Sequence, residues 1–522
     1  MRVSVPSSQQ ALSPGNLRPG SSPVNGSPDT FDAAERRRSD GPVTSARAAA
    51  PGTAPRPSVR RMSTSPLRRE RIPPSDAPVP GPHAELPPDR SRRTRRDLYA
   101  VGAALALFAA AALVGHFLHA RETLLLRWPP LYARWEPHVG PGTLAALTFA
   151  VWTVGHGPAL ARRLPWRRLL PAAWGGAMVW TWSLALVDGW RHGVAGQLTS
   201  KHEYLRSVDD VHDIGATLRT FTDHILMDAP DNWPAHVAGH PPGALLTFVG
   251  LDRIGLAGGG WAAAWCVTVG TSATVAVLVT LRALCGEETA RGAAPFLVLA
   301  PSAIWVGVSA DGYFAAVAAW AVALAALSAT GAVRAPRAAA LGSGLLFGWT
   351  VHLSYGLTLM ALPAAAVLVV ARTARPVPYV LLGAVPWVVA FTAAGFWWYE
   401  GYTTLVERYY QGAAGVRPYA YYVWANLAAQ VVVVGAATVA GLRRAAEVRR
   451  GALVVLLAGA LCAVLVADLS GLSKAETERI WLPFTLWLLP AAALLPERGR
   501  RWWLAGQAAS ALAVNHLFIT GW

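Results

Sequence analysis

The sequence predicts an all-α, polytopic transmembrane helix bundle of about 13 spans with a long outward loop containing juxtamembrane helices, and three observations predict it. The apolar residues are gathered into runs of about 16 to 24, the length that crosses a hydrocarbon core of roughly 30 Å. The short connections between these runs carry arginine on alternate loops. One connection is long instead: from Asp188 to Gly243 it holds eight carboxylates and six histidines, and it closes on His240-Pro241-Pro242-Gly243.

Residues 1–96 hold 17 of the 39 prolines, with many Ser and Arg and few large apolar side chains. Such a segment buries too little surface to offset its chain entropy, so a disordered cytoplasmic tail is expected there and a transmembrane domain over 97–522. No apolar run precedes Leu98, and the first span is expected to direct insertion. The tail carries 17 Arg against 8 acids, which accounts for +9 of the formal charge of +16. The remainder sits in short loops beside spans, where it sets membrane orientation, so nucleic acid is not an expected partner.

The expected spans, in order, are 98–118, 142–161, 169–188, 260–283, 293–308, 312–331, 338–355, 356–371, 377–398, 420–441, 451–468, 480–496 and 502–521. With the tail inside, the inside loops carry Arg162, Arg163, Arg167 and Arg168; Arg282 and Arg291; Arg334 and Arg337; Arg372 and Arg375; Arg443, Arg444, Arg449 and Arg450; and Arg498, Arg500 and Arg501. That is the positive-inside pattern, and it places the chain in the plasma membrane with an extracytoplasmic C-terminus. Residues 241–257 are apolar enough to resemble a span, but a crossing there would send the later arginines to the wrong side. They are therefore expected as a helix lying in the outer interface, within an outward loop at 189–259.

The outward loops hold the candidate chemistry. In the long loop, Asp209 and Asp210 form the densest acidic group with His212 and Asp213, while Asp188 borders the span and Glu203 precedes Tyr204. Any of Asp209, Asp210, Asp188 and Glu203 is a candidate base, since a positioned carboxylate suffices to take a proton from a hydroxyl. Asp311 stands in a Ser-Ala-Asp-Gly turn where one span ends and the next begins, an expensive place for a charge unless water or a partner reaches it. His236 and His240 are four apart, which on a helix makes a metal pair, yet Gly239 and Pro241 oppose that helix. Lys474 and Arg479, with Glu478 between them, and Arg417 in an aromatic loop are outward cations able to hold a phosphate, Arg through a two-pronged fork and Lys as a point charge. The plain alternatives are headgroup anchoring, a belt of interfacial aromatics and local ion pairs with Glu476 or Glu478.

No metal ligand set and no cofactor is assigned. A divalent metal is compatible with Asp209, His212 and Asp213 but is not indicated by their spacing. Cys266, Cys285 and Cys462 lie in or beside apolar runs with no paired spacing, so neither a disulfide framework nor a zinc site is expected.

An acidic first outward loop, the Pro241-Pro242 element leading into a juxtamembrane helix, Asp311 at a span start and Arg-bearing late loops together resemble the GT-C glycosyltransferases over roughly residues 169–485. These are polytopic enzymes, protein mannosyltransferases and aminoarabinose transferases among them, that take sugars from polyprenyl-phosphate donors. The resemblance implies transfer of a sugar from such a lipid donor to a cell-envelope acceptor on the outer face. It implies Asp209 or Asp210 as base, Asp311 and His240 orienting substrate, and Lys474, Arg479 and Arg417 on the phosphate. Two additional spans precede the acidic loop here, and its acid stands about twenty residues out, which leaves Asp188 and Glu203 open as alternatives. The rival function is a multi-span transporter or lipid flippase, expected to carry ionisable groups in mid-span; His352 and Asp468 come nearest to that.

Overall fold

The computed structural model describes residues 90–119 and 123–521. The expected tail therefore lies outside the described residues up to position 89, and the first helix, Arg90–His119, begins several residues before the expected boundary. Within the described residues the chain is an all-helical, multi-pass membrane protein whose only named strands, Ala133–Trp135 and Phe518–Thr520, form one short antiparallel pair.

Among the described residues seven helices are long and apolar enough to cross a membrane, or eight if the bent pair Val377–Ala393 and Trp398–Gln411 counts as one span. Part of the difference from 13 lies in Pro336–Leu353 and Arg500–Leu517, unbroken 18-residue helices that are not apolar enough to be among the seven, and part in segments that are apolar but broken. The run expected at 293–308 divides into Glu287–Val298 and Ala303–Val306 around Pro301, and that expected at 480–496 divides into short turns around Pro483 and Pro490. Proline lacks the amide donor a continuous helix needs, so an apolar run rich in it meets the length criterion without staying one helix.

The most buried span is Ala310–Thr330, in which ten of 21 residues are alanine. Small side chains let helix backbones approach closely where lipid supplies no hydrophobic drive for association. It packs against Gly259–Thr271, Ala273–Cys285, Pro336–Leu353 and Ala361–Ala371. The long Tyr419–Val448 helix is interrupted at Gly435, whose φ of +77° only glycine adopts without cost, and it packs on Arg90–His119.

Charge separates by end of the bundle. At one end, Asp97 is fully buried and accepts from Arg443 Nε at 2.6 Å and Arg444 Nη2 at 2.6 Å, while Arg291 donates to the carbonyls of Ala161 and Leu164. Arg444 also reaches Leu494 O, and Arg500 reaches Leu495 O, which gathers the arginines of several loops there. At the opposite end the Ala310–Thr330 and Tyr419–Val448 helices begin, Ala452–Leu469 finishes, and the acidic loop folds over them. The segment after Pro242 is a helix, Gly243–Arg253, as expected from its sequence. Gly243 is required there by contact: a Cβ would lie 2.5 Å from the carbonyl oxygen of His352.

Candidate functional site

Asp311 opens the Ala310–Thr330 helix. Ser309 caps that helix, its hydroxyl accepting from Gly312 N at 3.3 Å and donating to Trp305 O at 2.7 Å, so the Ser-Ala-Asp-Gly turn is a helix start. An acid in the first turn is favoured by the helix dipole, and Asp311 is nevertheless 5% exposed. Its carboxylate is ion-paired to Arg479, also buried.

Arg479 reaches this place from a strained turn. Ala475 and Glu476 have φ of +73° and +62°, a left-handed conformation that ordinary side chains rarely hold, just before the short Thr477–Ile480 helix. Two amides on one face of Tyr419–Val448 hold the turn. Asn426 donates to Ser473 O at 2.7 Å and accepts from Ala475 N at 3.3 Å, and Gln430 donates to Thr477 O at 2.9 Å. Arg479 Nη2 then contacts Glu476 Oε2 at 3.1 Å and His236 Nε2 at 2.9 Å.

His236 comes from the acidic loop, where its amide donates to His202 O at 2.9 Å and so fixes the short Ala235–Ala238 helix beside Glu203. Its Nδ1 lies 2.7 Å from Glu203 Oε1. A guanidinium only donates, so Nε2 must accept and Nδ1 must carry the proton it gives to Glu203. The two contacts together select the Nδ1–H tautomer of His236. Burial pushes the Glu203 carboxyl up, but His236 and the Arg479 charge outweigh it and hold the group below the usual glutamate range. Glu203 Oε2 is buried and has no hydrogen-bond partner among the described residues.

His240 adjoins this chain of contacts. Its Nδ1 donates to His236 O at 2.7 Å and lies 3.0 Å from Tyr204 OH, and its ring faces Phe314 at 5.6 Å. Burial drives its pKa down to about 4, so at neutral pH it is uncharged, with Nε2 left as an acceptor. Tyr204 stacks on Phe248 of the Gly243–Arg253 helix at 5.3 Å, which ties the His240-Pro241-Pro242-Gly243 corner to the site.

Of the candidates from sequence, the structure brings together Glu203, His240, Asp311 and Arg479. Arg417 and Lys474 stand beside them with side chains directed at main-chain carbonyls: Arg417 Nη1 donates to Lys474 O at 2.7 Å and Nε to Leu124 O at 3.2 Å, and Lys474 Nζ donates to Ala414 O at 2.9 Å. Lys474 thus keeps its charge against a neutral acceptor, while Arg417 is also ion-paired with Glu476 at 3.9 Å. Glu478 is buried with Oε1 accepting from Tyr132 N at 2.8 Å, and burial pushes its carboxyl up to about 7.

Three candidates lie elsewhere. Asp209 and Asp210 are exposed in a turn of the loop. Asp188 pairs with His138 at 2.7 Å, and His138 also bonds Glu136 O at 2.7 Å, in a separate cluster near the C-terminal strand. His352 is buried against Phe391, and Asp468 accepts from Asn426 Nδ2 at 3.0 Å behind the Arg479 turn. Asn426, Gln430 and the central part of His236 were not singled out from sequence, although two amides four residues apart in an apolar run are a readable sign of an inward polar face. Among the described residues no group of three or more His, Cys, Asp or Glu side chains is arranged to hold a metal ion.

No family model matches the chain, and no curated protein matches it. Among solved structures it is similar to the crystal structure of the Archaeoglobus fulgidus oligosaccharyltransferase in complex with zinc and sulfate, at 15% identity and a TM-score of 0.39, over 67% of this chain and 53% of that one. The chain thus spans about half the length of that protein.

Proposed function

We propose that the protein is an integral membrane glycosyltransferase that moves a sugar from a polyprenyl-phosphate donor to a hydroxyl acceptor of the cell envelope at the outer membrane face. The observation that carries this reading is Glu203: a buried carboxylate with one oxygen fixed by His236, the other without a partner, next to the Asp311–Arg479 pair. A buried, oriented carboxylate with an open lone pair is suited to receive a hydroxyl proton.

In this reading the acceptor oxygen forms its bond to the anomeric carbon as the bond from that carbon to the donor phosphate oxygen breaks, and the polyprenyl phosphate leaves with the electron pair. The acceptor proton passes to Glu203 Oε2. A lipid phosphate needs no protonation to depart, so one base and a positive surface suffice, without the second carboxyl of a glycoside hydrolase. Arg417, Lys474 and Arg479 are the cations proposed to face the departing phosphate, and Asp311 fixes Arg479. Asp209, Asp210 and Asp188 take no part in the chemistry. Glu478 holds Tyr132 N, and His240 holds the backbone of His236 beside Glu203.

Purified protein in nanodiscs, given radiolabelled polyprenyl-phosphate hexoses and pentoses with hydroxyl acceptors, is expected to release polyprenyl phosphate and glycosylated product together. Movement of the intact lipid between leaflets of reconstituted vesicles, with no product from any donor, would assign the chain to the transporter or flippase class instead.

A further inference from the structure

At the basic end of the bundle, the start of Arg90–His119 and the end of Tyr419–Val448 enclose a recess of about 810 Å³. Arg93, Arg96, Arg443 and Arg449 line it with Tyr99, against a single acid, Glu447. That acid is already engaged, by Arg443 at 2.7 Å and Arg96 at 3.3 Å. Buried Asp97, just behind, is taken by Arg443 and Arg444. The recess is therefore a preformed wall with a surplus of positive charge, held in shape by an ion-paired clamp. Arg93 and Arg449 stand outside that clamp, exposed.

The recess opens onto apolar surface. Tyr99 lines it and is more than half exposed, and Leu107, seven residues beyond the lining Ala100 and so on the same helix face, is exposed as well, as a lipid-facing flank requires. Residues 93–99 occupy the first turns of a spanning helix, the level at which phospholipid headgroups lie.

We propose that this recess binds an anionic phospholipid of the adjacent leaflet. Its phosphate sits among Arg93, Arg96 and Arg449, and its acyl chains run along Tyr99 and Leu107. Arginine's fork suits phosphate oxygens, and basic recesses between transmembrane helices at the membrane surface are suited to anionic headgroups. A free phosphate would use the arginines alone; the apolar flank favours the lipid. The site is at the opposite end of the bundle from Glu203 and does not depend on the proposed transfer reaction.

The test is native mass spectrometry of the purified full-length protein in detergent, titrated separately with dioleoyl phosphatidylglycerol, dioleoyl phosphatidylcholine and glycerol 3-phosphate. Phosphatidylglycerol is expected to bind preferentially, and Arg93→Ala/Arg449→Ala to weaken it roughly thirtyfold, since each arginine near an anionic surface contributes about tenfold or somewhat less. Arg334→Ala, an exposed arginine of another loop, should leave binding unchanged. In the wild type the affinity should also fall between about 0.05 M and about 0.5 M salt, as screening requires. Equal binding of the two lipids, full affinity in the double variant, or indifference to salt would overturn the proposal. Glycerol 3-phosphate binding as tightly as phosphatidylglycerol would assign the recess to free phosphate and overturn the lipid assignment.

Discussion

Arg479 fixes the tautomer of His236. The guanidinium can only donate across the 2.9 Å contact to Nε2, which leaves the ring proton on Nδ1 facing Glu203 at 2.7 Å. A charge in one loop thereby sets which hydrogen bond a carboxylate in another loop receives. The same guanidinium is paired with Asp311, so three segments far apart in sequence act as one unit.

This tautomer is directly observable. In protein with 15N-labelled histidine, the His236 signals at neutral pH should report a protonated Nδ1 and an unprotonated Nε2. Arg479→Met should release the constraint and yield a mixture of tautomers. Doubly protonated His236 in the wild type would contradict the assignment.

Arg479→Met should also destabilise the fold by about 3 kcal/mol or more, because removing one partner of a buried pair strands the other charge, here Asp311. Asp311→Asn should cost less, since Arg479 keeps Glu476 at 3.1 Å. Unfolding midpoints of the two variants in detergent check the order.

Glu478 predicts a pH dependence. Its folded pKa of about 7 lies above its ordinary value of 4.5, so the folded protein holds this proton more tightly than the unfolded chain does. The stabilisation is complete below about 4.5 and declines as pH rises through about 7, by a few kcal/mol in all. Glu478→Gln keeps an acceptor for Tyr132 N and should flatten that decline. Stability measured from pH 4.5 to 8 in both proteins distinguishes an identical slope, which would count against the assignment, from a shallower one in the variant.

Asp97 predicts a mechanical effect at the other end. Asp97→Asn should leave Arg443 and Arg444 without their shared counter-charge and loosen the first helix from Tyr419–Val448, at a cost of about 3 kcal/mol. Trypsin should then cut faster among Arg92, Arg93, Arg95 and Arg96 than in the wild type.

The bundle was legible in the sequence because apolar run length and arginine placement are one-dimensional signals. The number of spans was not, since Pro301, Pro483 and Pro490 break apolar runs without altering their hydropathy, and Pro336–Leu353 and Arg500–Leu517 form helices too polar to be among the seven. Asp311 and Arg479 were each readable as candidates, but their pairing across 168 residues is a property of packing. Glu203 stood behind Asp209 and Asp210 because acid density is visible in sequence and burial is not: the dense pair is exposed, and the single Glu203 is buried. Asp97, the first residue of the expected transmembrane domain, carried no signal of its own, and only the tertiary contact to Arg443 and Arg444 reveals its role.

Sidedness can be read with membrane-impermeant thiol reagents. Ser200→Cys and Ser473→Cys should label from outside intact cells, and Ala374→Cys only after permeabilisation. Labelling of Ser200→Cys from the inside alone would reverse the orientation drawn from the arginine pattern.

The central claim is that Glu203, rather than the denser acids near it, receives the acceptor proton. Single-turnover transfer from a labelled polyprenyl-phosphate sugar, measured for Glu203→Gln beside Asp209→Asn and Asp210→Asn, tests it most directly. The account predicts a fall of roughly 10²-fold to 10⁴-fold in Glu203→Gln, the range for loss of a general base, with the two aspartate variants close to wild type. Full activity in a folded Glu203→Gln, or its loss in Asp209→Asn or Asp210→Asn, would contradict it.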